Sequence, residues 1–198
     1  ADARFKLIAL GDVCSIVEDQ RGNLWCGTND CGIVAYNLTT GSIRSFRSNE
    51  TGLGNDIVIS STVGKDGALW FGAFNGGLTC YKDGRFKAYR ASTNGKGLVN
   101  DNVWVLKTEE NGNIVIATLG GGLQLLNPQT GQFTTYTTHN SPLVSNFLSS
   151  IAFDLTGNIL MGHAQEYSIL DAKTHKIRRL IRPKSHKFLS VSSINQIF

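Results

Sequence analysis

The sequence predicts an all-β fold made of repeated four-stranded antiparallel sheets. A tight glycine turn followed by a short apolar strand occurs four times at a constant spacing of 45 residues, starting at Gly22, Gly67, Gly112 and Gly157. A fixed period of this length indicates a repeat architecture. The composition agrees, because 22 glycines against 3 prolines provide many turns in 198 residues. We therefore predict one domain, residues 1–198, built from four repeats.

Within each repeat, short apolar segments separated by polar turns predict four strands. In the first three repeats these are 12–17, 24–28, 32–36 and 42–46; 57–63, 69–73, 78–81 and 85–89; and 103–108, 114–118, 123–126 and 132–136. The fourth repeat has lost the glycine pair of its second loop, and its last strand is predicted at 176–181. Residues 3–8 resemble the last strand of a repeat and 191–198 the first, so eighteen strands and no helix are expected.

Four antiparallel strands in 40–45 residues are typical of a β-propeller blade. Blades pack face to face, so their central strands read as continuous apolar runs, as in 33–36 and 114–117. A parallel β-helix is the alternative, but its shorter coils give no reason for this period. The predicted blades are approximately 11–47, 53–90, 98–137 and 143–181, with strand one innermost and partial blades at 3–8 and 191–198.

The two terminal segments are not expected to close a ring. One would be the outermost and the other the innermost strand of one blade, and the two strands between them are absent from the sequence. We therefore expect an open arc of a larger propeller. An arc exposes the apolar flanks of its end blades, so we expect association with the remaining blades or with a second copy of the chain.

Composition and motifs argue against several function classes. The net charge of +4 is too mild to predict nucleic-acid binding. No stretch approaches the roughly 20 consecutive apolar residues of a membrane-spanning helix. The four histidines lack metal-ligand spacing, and no phosphate loop or nucleophile motif occurs. No metal, cofactor or catalytic residue is therefore predicted.

The cysteines and tryptophans mostly occupy positions that are apolar in other repeats. Cys14, Cys26 and Cys80 are expected to be buried on this basis. Cys31 stands at a glycine position, and whether it pairs with Cys26 across a hairpin is open. All three tryptophans are predicted to pack in the core, and carbohydrate stacking is the alternative: Trp25, Trp70 and Trp104. The turns between strands one and two are predicted to be purely structural.

The loops at the opposite end of the strands vary more between repeats and are rich in polar residues. Variable polar loops on a rigid scaffold commonly carry binding function. Asn and Asp pair well with sugar hydroxyls, and an exposed phenylalanine offers a stacking plane, although Asn and Asp also cap turns. The candidate ligand-binding residues are Asp12, Asn29, Asp30, Asn55, Asp56, Phe74, Asn75, Asn100, Asp101, Asn146, Arg182 and Lys184.

The repeat itself is similar to a known family. The first repeat reads D-x-x-G-N-L-W-x-G-T from Asp19 to Thr28, then G-I-x-x-Y-N from Gly32 and T-G-x-I from Thr40. A G-L-x-x-N segment precedes the next two repeats at Gly52 and Gly97, with a weaker copy before the fourth. This pattern resembles the two-component-regulator propeller repeat over nearly the whole chain. The fourth repeat departs at the tryptophan and at the glycine turn.

The resemblance implies a function. Such repeats form the extracytoplasmic sensors of hybrid histidine kinases of Bacteroidetes, which respond to oligosaccharides. It implies a periplasmic fragment without catalysis, from a parent protein that spans the membrane and is dimeric. The alternative is a fragment of a propeller glycoside hydrolase or polysaccharide lyase. That alternative would need a carboxylate pair, for which Asp12, Asp30, Asp56 and Asp101 are available.

The last part of the chain is basic. Seven of the 19 Lys and Arg residues lie between Lys173 and Lys187, and no Asp or Glu follows Asp171. Arg182 and Lys184 fall in a loop at the predicted binding end. Because arginine grips carboxylate or sulfate with two parallel hydrogen bonds, this loop predicts a preference for an acidic glycan.

Overall fold

The computed structural model describes residues 11–93, 96–164 and 166–180. These residues form sixteen strands and one short helix: β1 Val13–Glu18, β2 Asn23–Thr28, β3 Ile33–Asn37, β4 Ile43–Phe46, α1 Ser48–Thr51, β5 Val58–Val63, β6 Leu69–Ala73, β7 Gly77–Lys82, β8 Arg85–Tyr89, β9 Val103–Thr108, β10 Ile114–Thr118, β11 Leu123–Asn127, β12 Gln132–Tyr136, β13 Ser150–Phe153, β14 Ile159–Gly162, β15 Tyr167–Leu170 and β16 Ile177–Leu180. In the first three repeats every strand end lies within one residue of its predicted position. The strands predicted at 3–8 and 191–198 lie outside the described residues.

The strands form four separate antiparallel sheets, each with its four strands in sequence order. Blade 1 is β1–β4, blade 2 is β5–β8, blade 3 is β9–β12 and blade 4 is β13–β16. The first strands of consecutive blades contact one another: β1 contacts β5, β5 contacts β9, and β9 contacts β13. The first strand of each blade is therefore innermost, as predicted, and the blades form an open arc. The all-β propeller prediction is confirmed.

The core consists of three apolar layers, one between each pair of neighbouring blades. Trp25 and Trp70 lie in the first and second of these layers, with only 4% and 2% of their surface exposed. Trp25 stacks on Phe46 with ring centroids 5.3 Å apart. The prediction that these two tryptophans pack between blades is confirmed. The same burial explains why their position is apolar in the other repeats.

A bulge in the innermost strands changes one prediction. The register of β1 against β2 shifts between Val13 and Ser15, so Cys14 is the extra residue of a β-bulge. Cys14 is exposed, and its predicted burial was wrong because the bulge turns the side chain out of the ladder. The register of β9 shifts at the equivalent place, and Trp104 there is only partly buried.

The remaining cysteines are consistent with a role in packing. All four cysteines are free, so Cys26 and Cys31 do not pair. Cys26 is buried, whereas Cys80 is partly buried. Burial, reinforced by the charge of Asp66, raises the pKa of the Cys80 thiol to about 11.

The expectation of no helix was also wrong, by one turn. The carbonyl of Arg47 accepts hydrogen bonds from the backbone N–H groups of Glu50 and Thr51, which starts α1. Gly52, with φ of 80°, ends the helix in the left-handed conformation that glycine adopts without strain. Within the described residues, no helix is long and apolar enough to cross a membrane.

Candidate functional site

The loops predicted to bind a ligand meet at one end of the blades, called here the loop end. It comprises the loops between strands two and three and the lead-in segments 47–57, 90–102 and 137–149, which join one blade to the next. In blades 1, 2 and 3 the second-to-third strand loop donates a backbone hydrogen bond of 2.9 Å to the following lead-in segment: Gly32 to Asp56, Gly77 to Asp101 and Gly122 to Asn146. The topology therefore brings the two sets of predicted loops together.

Three candidate side chains at the loop end hold the lead-in segments in place. The Oδ1 atoms of Asp56, Asp101 and Asn146 accept backbone hydrogen bonds of 2.6, 2.7 and 2.8 Å, respectively. Asp56 also lies 3.8 Å from the guanidinium of Arg47, and Asp101 lies 3.3 Å from that of Arg90. These oxygens are therefore already used within the fold.

Asn55 and Asn100 have a similar role. Their Oδ1 atoms accept the backbone N–H groups of Ile57 and Asn102, two residues further along, at 3.0 and 2.7 Å. This local turn is a common use of asparagine. These two asparagines and the three side chains above therefore cap turns, which was the alternative to ligand binding.

The other five candidate residues within the described part of the chain are exposed: Asp12, Asn29, Asp30, Phe74 and Asn75. Phe74 leaves 38% of its surface in solvent. The side chains of Asn29 and Asn75 make no hydrogen bond to any described residue. Asn75 has a left-handed φ of 52°, and its backbone N–H donates to Asn102 at 3.0 Å. Arg182 and Lys184 lie outside the described residues.

Three buried polar side chains, which the sequence analysis did not single out, support the loop end from below. They occupy the same position in β7, β11 and β15, and each accepts a backbone N–H of a lead-in segment: Gly54 to Thr79 at 3.3 Å, Val99 to Gln124 at 3.0 Å and Val144 to Ser168 at 3.3 Å. Each is at most 1% exposed. The only sequence signal was a polar residue inside an otherwise apolar strand.

Blade 4 adds a buried histidine to this support. Nε2 of His163 lies 3.0 Å from the hydroxyl of Ser168, and the histidine is 2% exposed. Burial lowers the pKa of His163, against the opposing influences of the Phe147 backbone and of the Glu166 charge. Threonine occupies this position in blades 1 and 3, where Thr28 and Thr118 cap the second-to-third strand loop instead.

A cleft of about 670 Å³ opens at the other end of the molecule, between blades 1 and 2. Its walls are the turn 19–23 of blade 1, the turn 66–67 of blade 2 and the hairpin 81–84 of blade 2. The sequence analysis assigned only a structural role to the turns between first and second strands. The structure confirms that role for Asp19 but also places the cleft beside it.

The Asp19 carboxylate is surrounded by donors. It accepts the backbone N–H groups of Arg21 and Asn23, the amide of Asn23 and the indole N–H of Trp25, at 2.8–2.9 Å. Burial alone would raise the pKa of Asp19, but the hydrogen bonds, led by that from Asn23, lower it. The same turn recurs in blade 4, where bonds from Asn158 and Thr156 hold the pKa of Asp154 at about 2.

Aromatic rings and charged groups complete the cleft. The rings of Trp25 and Tyr81, whose centroids are 4.6 Å apart, both line the cleft. Lys82 and Asp66 form an ion pair of 2.6 Å at one side. The sequence signal that could have revealed the cleft is Tyr81 itself, because its equivalents in blades 3 and 4 are leucines. Within the described residues, no group of three or more His, Cys, Asp or Glu side chains could hold a metal ion.

One segment of the chain matches a known family model. Residues 8–30 match the family model described as "Two component regulator propeller". The matched segment contains β1, the Asp19 turn and β2. The match covers a single repeat unit of the chain. The equivalent segments of blades 2 and 3 follow at the same 45-residue spacing and fold in the same way.

The solved structures that resemble the chain are propellers. The extracellular domain of BT4673, assigned as a hybrid two component system of B. thetaiotaomicron, is 24% identical with a TM-score of 0.77, covering 94% of this chain and 24% of that one. The extracellular domain of BT3049, assigned to the same class in the same organism, is 21% identical with a TM-score of 0.71, covering 89% and 24%. Virginiamycin B lyase from Staphylococcus aureus is 17% identical with a TM-score of 0.68, covering 89% and 57%.

These likenesses establish the fold, and the chain spans about a quarter of the length of the two extracellular domains. No curated protein sequence matches the chain.

Proposed function

We propose that the chain is part of the extracytoplasmic, ligand-sensing domain of a hybrid two-component system and that it binds its ligand without transforming it. The observation that carries this proposal is the propeller repeat at residues 8–30 together with a fold that matches an extracellular sensor domain over 94% of the chain. On this proposal the parent protein spans the membrane and is dimeric. The remaining blades, or a second copy, then complete the arc.

The ligand that best suits the loop end is an oligosaccharide. Phe74 offers an exposed apolar ring, and the neighbouring Asn75 offers an amide that no described residue uses. An apolar plane beside a few oriented polar groups is the usual composition of a small-ligand site. Sugars present both C–H faces and hydroxyls, which fit such a pair of side chains. Asp30 and Asn29 supply further exposed polar groups in blade 1.

The surroundings of these residues favour binding because the loops are held rigidly. The backbone of Asn75 is fixed by the bond to Asn102, and the next lead-in segment is fixed by Gln124. A loop that is ordered before binding loses little conformational entropy when the ligand arrives. We also propose that Arg182 and Lys184 favour an acidic oligosaccharide at this end.

Isothermal titration of the chain with neutral and uronic-acid-containing oligosaccharides tests the proposal. Phe74→Ala and Asn75→Ala should each weaken binding about tenfold, which corresponds to about 1.4 kcal/mol. Gln129→Ala is the control, because Gln129 is exposed in the loop between β11 and β12, at the other end of the molecule. Equal losses in all three variants, or no binding of any oligosaccharide, would overturn the proposal. Release of shortened sugars during the titration would favour an enzyme instead.

A further inference from the structure

We propose that the cleft between blades 1 and 2 is a second binding site and that it takes a small hydroxylated carboxylate of the size of a hexuronic acid. This site is independent of the proposed function, because the cleft lies at the opposite end of the blades from the loop end. Its volume of about 670 Å³ falls within the range typical of small-molecule sites.

Three of the six charged side chains that line the cleft already have partners. Asp19 is saturated by four hydrogen-bond donors, and Asp66 is paired with Lys82 at 2.6 Å. These groups therefore shape the walls of the cleft and are already engaged within the fold. The hydrogen bond from Lys82 lowers the pKa of the Asp66 carboxyl, although burial acts in the opposite direction. The pair therefore stays ionised.

Two guanidinium groups are left without a carboxylate. Arg21 and Arg44 both line the cleft, and neither forms an ion pair with any described residue. Arg44 is held over the ring of Phe46, with its Cζ atom 5.1 Å from the centroid, so its side chain is already oriented. A planar guanidinium binds a carboxylate with two parallel hydrogen bonds. The two arginines therefore define the acidic part of the ligand.

The facing wall of the cleft suits hydroxyl groups. Asp83 lines the cleft with a left-handed φ of 50°, in the tight turn between β7 and β8, and its carboxylate accepts no hydrogen bond from a described residue. The hydroxyl of Tyr81 is likewise unused within the described chain. A carboxylate accepts from a sugar hydroxyl, and a phenol can donate or accept. A sugar ring that carries one carboxylate and several hydroxyls can bind the two arginines through its carboxylate and Asp83 and Tyr81 through its hydroxyls.

One side chain that lines the cleft differs between the three interfaces of the described blades. Leu126 and Leu170 occupy the position of Tyr81 in blades 3 and 4, and both are at most 2% exposed within the apolar layers between blades. At the blade 1–2 interface the tyrosine lines the cleft instead. There the contact between blades continues through Gln20, whose side chain lies against Gly67.

Isothermal titration of the chain with glucuronate, with glucose as the matched neutral sugar, tests this site. Glucuronate should bind at millimolar concentrations or below, and more tightly than glucose. Arg21→Gln and Arg44→Gln should each weaken glucuronate binding at least about tenfold. Arg178→Gln, an exposed arginine of blade 4, should leave it unchanged. Raising the salt concentration should weaken binding to the unmodified chain and have less effect on the two cleft variants.

Two further variants keep the outcome decisive. If Arg44→Gln does not fold, Arg44→Lys retains the charge but lacks the planar fork, and it should still lose affinity. Phe74→Ala should bind glucuronate normally, which separates this site from the loop end. Absence of glucuronate binding, equal binding of glucose, or insensitivity to both arginine substitutions would overturn the proposal, whatever the loop end binds.

Discussion

Two tryptophans at equivalent positions have different hydrogen-bonding environments. Trp25 donates its indole N–H to Asp19 at 2.9 Å. In the second repeat Gly64 replaces that aspartate, and the indole N–H of Trp70 is buried with no partner among the described residues. An unmade buried hydrogen bond costs about 1–3 kcal/mol. Blade 2 therefore carries a local penalty that blade 1 avoids.

We expect Trp25→Phe to destabilise the protein more than Trp70→Phe. The first change removes a bond to a carboxylate and costs about 1–3 kcal/mol beyond lost packing, whereas the second removes an N–H that has no partner. Urea unfolding of both variants measures the difference directly. A larger loss of unfolding free energy for Trp70→Phe would contradict the assignment of these two environments.

Comparison between repeats predicts the burial of some single residues but not of others. Trp25 and Trp70 were predicted correctly because their equivalents in other repeats are apolar. The same reasoning failed at Cys14, because a bulge displaces one residue of the innermost strand and leaves no mark in composition. The cleft was missed because the turn at Asp19 reads as structural, and its charged neighbours come together only when two blades pack.

At the scale of elements, the lead-in segments depend on single buried polar residues. The 45-residue period predicted the strands of the first three repeats to within one residue, since strands are set by apolar patterning. It could not predict the support from Thr79, Gln124 and Ser168, because that contact joins residues about 25 positions apart in a loop and a neighbouring strand. The short helix α1 could have been found from Gly52 after an S-N-E-T segment.

The blade 4 lead-in segment should respond to acid, and the blade 3 segment should not. His163 contacts Ser168, and the Ser168 hydroxyl accepts the backbone N–H of Val144. The pKa of His163 is lowered in the folded protein. A lowered pKa means that the folded state favours neutral histidine. Its stabilising contribution is therefore complete above the unfolded value of about 6.5 and is lost as the pH falls through the folded value. The positive charge of Arg179 acts in the same direction.

Hydrogen exchange measures this effect at one amide. The protection factor of Val144 should fall below pH ~6.5, while that of Val99 should hold, because its acceptor Gln124 does not titrate. His163→Gln should remove the difference in pH response between the two amides. An equal fall at both amides would indicate general acid unfolding instead.

At the scale of the whole molecule, the face of blade 1 turned away from blade 2 carries two exposed isoleucines. Ile16 and Ile43 are 60% and 40% exposed. Their strand partners Cys26 and Tyr36 place them on the face opposite Trp25, which packs toward blade 2. In an interior blade the equivalent face is buried against its neighbour. Exposed apolar side chains on such a face favour association.

We therefore expect the chain to self-associate in sedimentation experiments at micromolar concentration. Replacing Ile16 and Ile43 together by glutamate should shift the equilibrium toward monomer, because charge on this face opposes sheet-to-sheet packing. Leu155→Glu is the matched control: Leu155 is fully exposed, but it lies in a turn of blade 4 away from this face. A chain that stays monomeric without aggregation, or a control that dissociates the assembly equally, would show that the blade 1 face is not the contact. Loss of association only in the double variant would identify this face as the surface on which the arc is extended.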